Sequence, residues 1–407
     1  MPTNTFKNII LFDDDNWESL LPLTFTKPIC ELRIGILTIR EKWEKHLKAS
    51  ATSFITQDFL SEKYPIHIDN DNIIINSTIL PTPKLIKLIF QLDANEAILD
   101  GDELLAARLT KEQFERLLSE RGMSELQGVD ISKEIDVVKR ILRPNDIFTY
   151  NDSEIRVDFD LLTKDRISQS LSSTNTLLGD GDLFIEPGVS IESAILNTSK
   201  GPIYIGKDGI VMEGSMIRGP FAMCKNAVVK MGAKIYGATT IGPYCKVGGE
   251  VSNSVLIGYS NKGHDGFLGN SVIGEWCNLG ADTNVSNLKN NYDNVKLWSY
   301  EEKKFIQTNL QFCGLIMGDH SKTAINTMIN TGTVVGVATN IFGSNFPRNY
   351  IPSYSWGGAS GFKTHMMDKA LKTARIVMKR RDIDLSEQDS KIFEHVFYMT
   401  SKYRTWE

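Results

Sequence analysis

The sequence has few cysteines, no long apolar run and little net charge. Its cysteines are Cys30, Cys224, Cys245, Cys277 and Cys313. They are widely spaced and include no Cys-x-x-Cys pair, which favours reduced thiols over a disulfide framework. No run of about 18 apolar residues is present, so no membrane-spanning helix is predicted. With 45 Lys and Arg against 50 Asp and Glu, the net charge of −5 predicts no nucleic-acid or membrane surface. Residues 1–8 lack the layout of a secretory signal, so we expect a cytoplasmic protein.

In the second half of the chain an aliphatic residue recurs at every sixth position. The longest unbroken series is Ile205, Val211, Ile217, Met223, Val229, Ile235, Ile241 and Val247. Shorter series in two other phases are Phe267, Ile273, Leu279, Val285 and then Ile329, Val335, Ile341. A period of six fits neither a helix nor an alternating strand. It is typical of a parallel β-solenoid of triangular section, in which one inward residue per face stacks on its equivalent in the next coil.

The repeat predicts where the solenoid lies and where it is interrupted. We place it over residues 175–358. The phase breaks at 248–266 and 286–314 are predicted to be loops thrown out from the coil, and loops on a rigid scaffold are where function is usually found.

The first 165 residues have a mixed pattern. Short apolar strands are predicted at 9–12 and 73–75, and helices at 31–49 and 111–121. Alternating strands and helices indicate a small α/β domain.

The last 49 residues, 359–407, are predicted to be a helical tail. Helices over 362–382 and 386–403 are expected to cap the open end of the solenoid. The basic run Lys379-Arg380-Arg381 is expected to be a solvated face rather than a phosphate site.

Residues 260–281 carry the most specific pattern. His264 precedes Phe267-Leu268-Gly269, and the next coil reads Ile273-Gly274-Glu275-Trp276-Cys277-Asn278-Leu279-Gly280-Ala281. This stretch resembles the acetyltransferase half of the bifunctional N-acetylglucosamine-1-phosphate uridyltransferase/glucosamine-1-phosphate acetyltransferases, the GlmU-like proteins. The resemblance covers residues 180–345. It implies a left-handed parallel β-helix that forms a homotrimer, with active sites between neighbouring subunits.

The resemblance also implies roles for single residues. His264 falls on the general base of the family, and Phe267 on an aromatic residue that lines the sugar site. Asn278 falls on an amide that binds the amino sugar, and Asn287 on a residue that contacts the acyl group and the nucleophile. The Asn-Leu-Lys sequence from Asn287 is more similar to archaeal sugar-phosphate acetyltransferases. The implied donor is acetyl-CoA, and the implied acceptor is an amino-sugar phosphate, with glucosamine 1-phosphate first.

The residue types suit this chemistry. Acetyl transfer to an amine needs a base for the amine proton, and a histidine suits that role because its ordinary pKa lies near neutrality. Candidate cations for the sugar phosphate are Lys262, Lys246, Arg218 and Lys289. His320 is a candidate contact for the coenzyme.

Plainer interpretations stay open beside these roles. His264 has the alternative of an exposed loop histidine, Asn278 that of a ladder amide inside the solenoid, and His320 that of a turn residue. A zinc site of three converging histidines is excluded, because only His264 and His320 lie in the predicted solenoid.

The segment 20–28, Leu-Leu-Pro-Leu-Thr-Phe-Thr-Lys-Pro, is similar to the signature of sugar-1-phosphate nucleotidyltransferases. The longer stretch 12–43 resembles a divergent, Bacteroidetes-type branch of the bifunctional proteins. Such enzymes bind a nucleoside triphosphate on a Gly-rich turn. Here the turn 13–18 has no glycine and four carboxylates in six residues.

Nucleotidyl transfer is therefore one of several functions that stay open. For it, Lys27 is the candidate cation, UTP the candidate nucleotide, and Asp13–Asp15 or the pair Asp100 and Asp102 the candidate holders of Mg²⁺. An exposed turn is the plainer interpretation of Asp100 and Asp102. The alternatives to a bifunctional enzyme are nucleotidyl transfer alone and a non-catalytic solenoid that binds sugar nucleotides.

Overall fold

The structure is a computed structural model that describes residues 6–120, 127–132 and 137–406. Its backbone contacts divide the chain into two compact units. The first unit comprises the chain up to Glu18, Lys27–Leu32 and Leu37–Leu142, and the second comprises Ser19–Thr26, Arg33–Ile36 and the chain from Arg143 onward. In the part of the chain that the structure describes, no helix is long and apolar enough to span a bilayer.

The first unit is an α/β domain built on a mixed six-stranded sheet. In spatial order the strands are Ala51–Ile55, Asn8–Phe12, Asp71–Asn76, Glu103–Thr110, Glu96–Asp100 and Gln127–Asp130. The helices are Ile39–Leu47, Asp58–Ser61, Pro83–Gln91 and Lys111–Glu120. Shorter elements are the 3-10 helices Asp15–Leu20 and Ile29–Glu31, the paired strands Ile79–Leu80 and Lys139–Arg140, and the strands Arg33–Ile34 and Leu37–Thr38. The predicted strands at 9–12 and 73–75 lie at the centre of this sheet.

The helix predicted over 31–49 begins eight residues later than expected. It spans Ile39–Leu47, and Thr38 caps it: the Thr38 hydroxyl accepts from the Glu41 N–H at 3.1 Å, and the Glu41 carboxylate accepts from the Thr38 N–H at 2.7 Å. This capping box fixes the helix start, and Lys48 ends it in the left-handed conformation. The helix predicted over 111–121 is found as Lys111–Glu120, and residue 121 lies outside the described residues.

The second unit is a parallel β-solenoid with three faces. The first face has the strands Thr176–Leu178, Ile195–Asn197, Met216–Arg218, Lys234–Tyr236, Glu250–Ser252 and Phe267–Gly269, followed by the pair Asn284–Val285 and Met328–Ile329. The second has Leu183–Ile185, Ile203–Ile205, Phe221–Met223, Thr239–Ile241, Val255–Gly258, Val272–Glu275, Leu315–Met317, Thr333–Val335 and Tyr350–Ile351. The third has Ser190–Ile191, Ile210–Val211, Val228–Val229, Lys246–Val247, Asn261–Lys262, Asn278–Leu279, Lys322–Thr323, Asn340–Ile341, Ser355–Gly358 and Gly361–Thr364. This architecture confirms the solenoid and is consistent with a left-handed β-helix.

The six-residue repeat is the inner wall of the solenoid. All eight residues of the long series are at most 2% exposed and belong to one continuous apolar core. The coils approach too closely for a side chain where Gly follows the repeat: a Cβ on Gly242 would lie 2.1 Å from the Ile257 carbonyl oxygen. In the second phase the inward residue is Leu268, which is fully buried, whereas Phe267 is partly exposed.

The two phase breaks have different causes. The loop predicted over 248–266 is wrong, because this segment contains the strands Glu250–Ser252, Val255–Gly258 and Asn261–Lys262. Its phase shifts because the turn Gly248-Gly249 is short. The segment 286–314 does leave the coil, and it contains the antiparallel hairpin of Lys296–Ser299 and Lys304–Gln307.

Helices pack on the solenoid within the second unit. The helix Asp146–Thr163, which the sequence placed in the N-terminal domain, donates from the Asn151 amide to the Ala238 carbonyl at 2.8 Å. The C-terminal helices are Met367–Lys379 and Glu387–Met399, with a 3-10 turn at Ser401–Tyr403. The first of these begins later than the predicted 362, because Gly361–Thr364 pairs with the last strand of the third face. The Tyr354 hydroxyl donates to the Phe393 carbonyl at 2.7 Å, so the tail covers this end of the coil.

Candidate active site

His264 lies on a turn at a corner of the solenoid. The turn joins Asn261–Lys262 of the third face to Phe267–Gly269 of the first. The His264 side chain is exposed and borders two cavities, of about 730 and 380 Å³. Asp265 and Asp282 line the smaller one.

The larger cavity is a strongly basic groove. Its charged lining residues are Lys230, Lys246, Lys322, Arg380 and Arg381, and no described carboxylate lines it. Burial, and then the like charges of Arg381, Lys230 and Arg380, lower the pKa of Lys246. The basic run of the tail was expected to be a solvated face, but the structure places two of its residues at this groove. The Arg381 guanidinium donates to the Tyr244 carbonyl at 3.2 Å.

An aromatic stack forms one side of this groove. The rings of Tyr244, Tyr259 and Trp276 lie on successive coils, with centroids 5.2 and 4.2 Å apart and planes within 11° of parallel. Each of the three has a left-handed backbone, with φ between 53° and 60°, at the same corner of its coil. The sequence gave no signal for this stack, because the spacings of 15 and 17 residues do not match the repeat.

His320 continues the stack toward the interior. Its ring lies 6.0 Å from Trp276 and 5.0 Å from Phe393, and the residue is only 7% exposed. Its backbone is also left-handed, and its N–H donates to the Glu275 carbonyl at 2.8 Å. This placement favours the turn-residue interpretation over contact with a coenzyme.

Asn278 points outward into the basic groove. It lies on the third face, in register with Asn261 on one side and Lys322 on the other. Its side chain is exposed. The alternative of a ladder amide inside the solenoid therefore does not fit the structure.

Phe267 and Asn287 meet around Gly269. A Cβ on Gly269 would lie 2.5 Å from the Asn287 amide nitrogen and 2.6 Å from the tip of the Phe267 ring. The Asn287 amide also donates to the Asn270 side-chain oxygen at 2.8 Å. The structure thus groups these two predicted residues, and it places His264 at the turn that begins the strand of Phe267.

Of the four candidate cations, Lys246 lines the groove of His264. Lys262 is 2% exposed and points into the solenoid. Lys289 is partly buried and donates to the Asn294 carbonyl at 2.9 Å. Arg218 lines another cavity, of about 370 Å³, on the first face.

In the first unit the predicted site residues are held by other protein groups. Lys27 is 3% exposed. Asp13 accepts from the Thr56 hydroxyl at 2.7 Å and from the Ile29 N–H at 3.1 Å, and desolvation raises its pKa to about 7. Asp14 accepts from the Asn76 amide at 2.7 Å.

The second predicted Mg²⁺ pair does not fit a metal either. Asp100 pairs with Arg140 at 2.8 Å, and Asp102 lies in the exposed turn between two strands. Among the described residues no group of three or more His, Cys, Asp or Glu could hold a metal ion. The Asp13–Asp15 and Asp100/Asp102 sets therefore do not fit the expected ion.

Comparisons with known proteins identify the class of both parts. Residues 9–167 match the family model of sugar nucleotidyl transferases. A bifunctional sugar-1-phosphate nucleotidylyltransferase/acetyltransferase from Sulfurisphaera tokodaii is 30% identical over 145 residues, which are 35% of this chain and 36% of that protein. The GlmU proteins of Wigglesworthia glossinidia brevipalpis and Methanocaldococcus jannaschii are 26% and 30% identical, over 41% and 33% of this chain and 35% and 27% of theirs.

These matches confirm the resemblance to the bifunctional GlmU-type transferases. The matched segments span about a third of the length of these curated relatives. A solved Arabidopsis UDP-N-acetylglucosamine acyltransferase aligns over 57% of this chain and 90% of that chain, at 13% identity and a TM-score of 0.18, which is too low to carry an argument.

Proposed function

We propose that the solenoid transfers an acetyl group from acetyl-CoA to the amine of an amino-sugar phosphate, with glucosamine 1-phosphate as the first candidate. The observation that carries this proposal is the position of His264, an exposed histidine at the edge of a basic groove. The relatives named above are sugar-phosphate transferases, which supports the same class of reaction.

In the proposed reaction the amine nitrogen attacks the thioester carbonyl carbon. His264 takes the amine proton, the C–S bond breaks, and the coenzyme leaves as its thiol after that proton is passed on. Asn287 positions the acyl group and the amine, while Phe267 and Asn278 contact the sugar. Transfer of the proton by a positioned base typically contributes a factor of about 100 to 10,000.

The basic groove suits the coenzyme. Coenzyme A carries a pyrophosphate, a 3′-phosphate and an adenine. Arg380, Arg381 and Lys246 supply cations for the phosphates, and the flat ring of Tyr259 supplies a stacking surface for the base. Lys262 and Lys27 are too deeply buried to contact a sugar phosphate, so Lys289 is the remaining predicted lysine near Asn287.

The proposed enzyme is a cytoplasmic homotrimer with sites between subunits. The five cysteines are all free and buried, which suits a reducing compartment. His264 and Asn287 lie at opposite ends of one first-face strand, so a neighbouring copy packed along that face would complete the site. A particle of 45.7 kDa in solution would contradict the trimer.

The test is thiol release from acetyl-CoA in the presence of glucosamine 1-phosphate. We expect activity in the wild type and a loss of about a hundredfold or more in His264→Ala. Equal rates in the two proteins would remove His264 from the reaction. If the wild type is inactive with a panel of amino-sugar phosphates and nucleotide-linked amino sugars, the solenoid is not an acetyltransferase.

Nucleotidyl transfer by the first unit is the second candidate, which the family match over residues 9–167 favours. The buried Lys27 and the engaged carboxylates of Asp13 and Asp14 weigh against it. Magnesium-dependent release of pyrophosphate from UTP and N-acetylglucosamine 1-phosphate would establish it. Binding of a sugar nucleotide without either reaction would instead support the non-catalytic solenoid.

A further inference from the structure

The turn that carries His264 differs from the other turns at its corner of the solenoid. Those turns have four residues and end with a small, fully buried side chain. The buried residues are Ser215, Ala233 and Thr283. In the His264 turn the fourth position is Gly266, which has no side chain and a left-handed backbone with φ of 108°.

The preceding coil is also irregular at this corner. Its turn has two residues, Gly248 and Gly249, where its neighbours have four. A Cβ on Gly249 would lie 2.7 Å from the His264 carbonyl oxygen, so the two turns pack backbone against backbone. The small side chain that fills this corner in other coils is therefore missing just where His264 stands.

The ammonium group of Lys262 fills this corner. Lys262 occupies an inward position, in register with Val247, where the equivalent residues of the other coils are mostly aliphatic. Its Nζ donates to the carbonyls of Gly248 at 3.1 Å, His264 at 2.5 Å and Asp265 at 3.0 Å. All three donors of the ammonium group are thereby used.

The choice of lysine has a cost that an aliphatic residue would not have. A buried ammonium is unfavourable unless every donor is satisfied, and methionine or leucine would fill the same apolar column without that penalty. Two of the three carbonyls belong to His264 and its neighbour. The bonds therefore act on the turn that holds the imidazole in the groove.

We propose that Lys262 is the positioning residue of His264: it ties the irregular turn to the preceding coil and so fixes where the imidazole stands. This role rests on the proposed function of His264. Lys262 itself does not touch the substrate.

The test compares Lys262→Met, which keeps the length of the buried stem, with Val211→Ala, a substitution in the same inward column on a distant coil. In Lys262→Met we expect kcat for acetyl transfer to fall at least tenfold while KM for acetyl-CoA stays within about twofold. Amide hydrogen exchange of residues 263–266 should rise at least tenfold, whereas exchange at 230–233 stays unchanged. Val211→Ala should show neither local effect.

Each outcome decides the proposal. Unchanged exchange at 263–266 together with unchanged kcat would overturn it, as would an equal rise of exchange along the whole solenoid, which indicates a merely structural role. If the wild type has no acetyltransferase activity, the proposed function fails, but local exchange still tests whether Lys262 holds the turn. If Lys262→Met does not fold, Lys262→Gln, which keeps two N–H donors, is measured in the same way.

Discussion

The buried charge of Lys262 predicts an unusual dependence of stability on pH. Desolvation lowers the pKa of this lysine from 10.5 to about 8, and the carboxylates of Asp265 and Asp282 oppose that shift only in part. Between pH 8 and pH 10.5 the unfolded chain binds this proton and the folded chain does not. Raising the pH through this interval therefore stabilises the folded state.

The magnitude follows from the shift. Below pH 8 the buried charge costs about 3 kcal/mol, because 2.5 pKa units at 1.36 kcal/mol each separate the folded from the unfolded value. At pH 10 about 1 kcal/mol of that cost remains, since the unfolded lysine is then only partly protonated. Lys262→Met removes the titrating group. The stability of the wild type relative to this variant should thus rise by about 2 to 3 kcal/mol from pH 7 to pH 10.

Urea unfolding followed by circular dichroism measures this difference. Wild type and Lys262→Met are compared at pH 7, 8, 9 and 10 at one protein concentration, so that the titration of all other groups cancels. A difference that is constant with pH, or that moves in favour of the variant as the pH rises, would refute a lysine that is buried with its charge.

Further predictions concern the groove, the site and the core. Arg380→Ala combined with Arg381→Ala should raise KM for acetyl-CoA at least tenfold and weaken its salt dependence, whereas the exposed Lys379→Ala should not; steady-state kinetics at two ionic strengths measures both. Gly269→Ala should lower kcat at least tenfold without loss of fold, because the new Cβ displaces the Asn287 amide and the Phe267 ring; circular dichroism serves as its control, and a wild-type rate would contradict the reasoning. Ile241→Ala should reduce the free energy of unfolding of the solenoid by about 2–5 kcal/mol, because it leaves a cavity in a fully buried stack; a loss below 1 kcal/mol in urea unfolding would mean that the coils collapse around it.

The solenoid was predictable because its signal is repeated. Each inward residue from Ile205 to Val247 must meet an equivalent residue one coil away, so packing writes the same requirement into every sixth position. The same logic explains the error at 248–266. A turn shortened by two residues shifts the phase as a loop does, and the sequence pattern cannot distinguish the two.

The composition of the groove was not predictable from the sequence. His264 was found through the resemblance to a known motif. Arg380 and Arg381 lie more than 100 residues further along the chain, and only the docking of the tail brings them to the groove. A basic run carries no information about what it faces, so the expectation of a solvated surface was the reasonable one.

The shortened turn at Gly248-Gly249 has a consequence for how such a protein acquires a site. A solenoid of identical coils has translational symmetry, so no coil differs from the next and no point on its surface is distinguished. Deleting two residues from one turn breaks that symmetry at a single height, and the vacant corner then makes room for a polar group that the regular lattice would reject. Restoring the two residues would make the repeat more regular and would erase the one place where this surface differs from the rest.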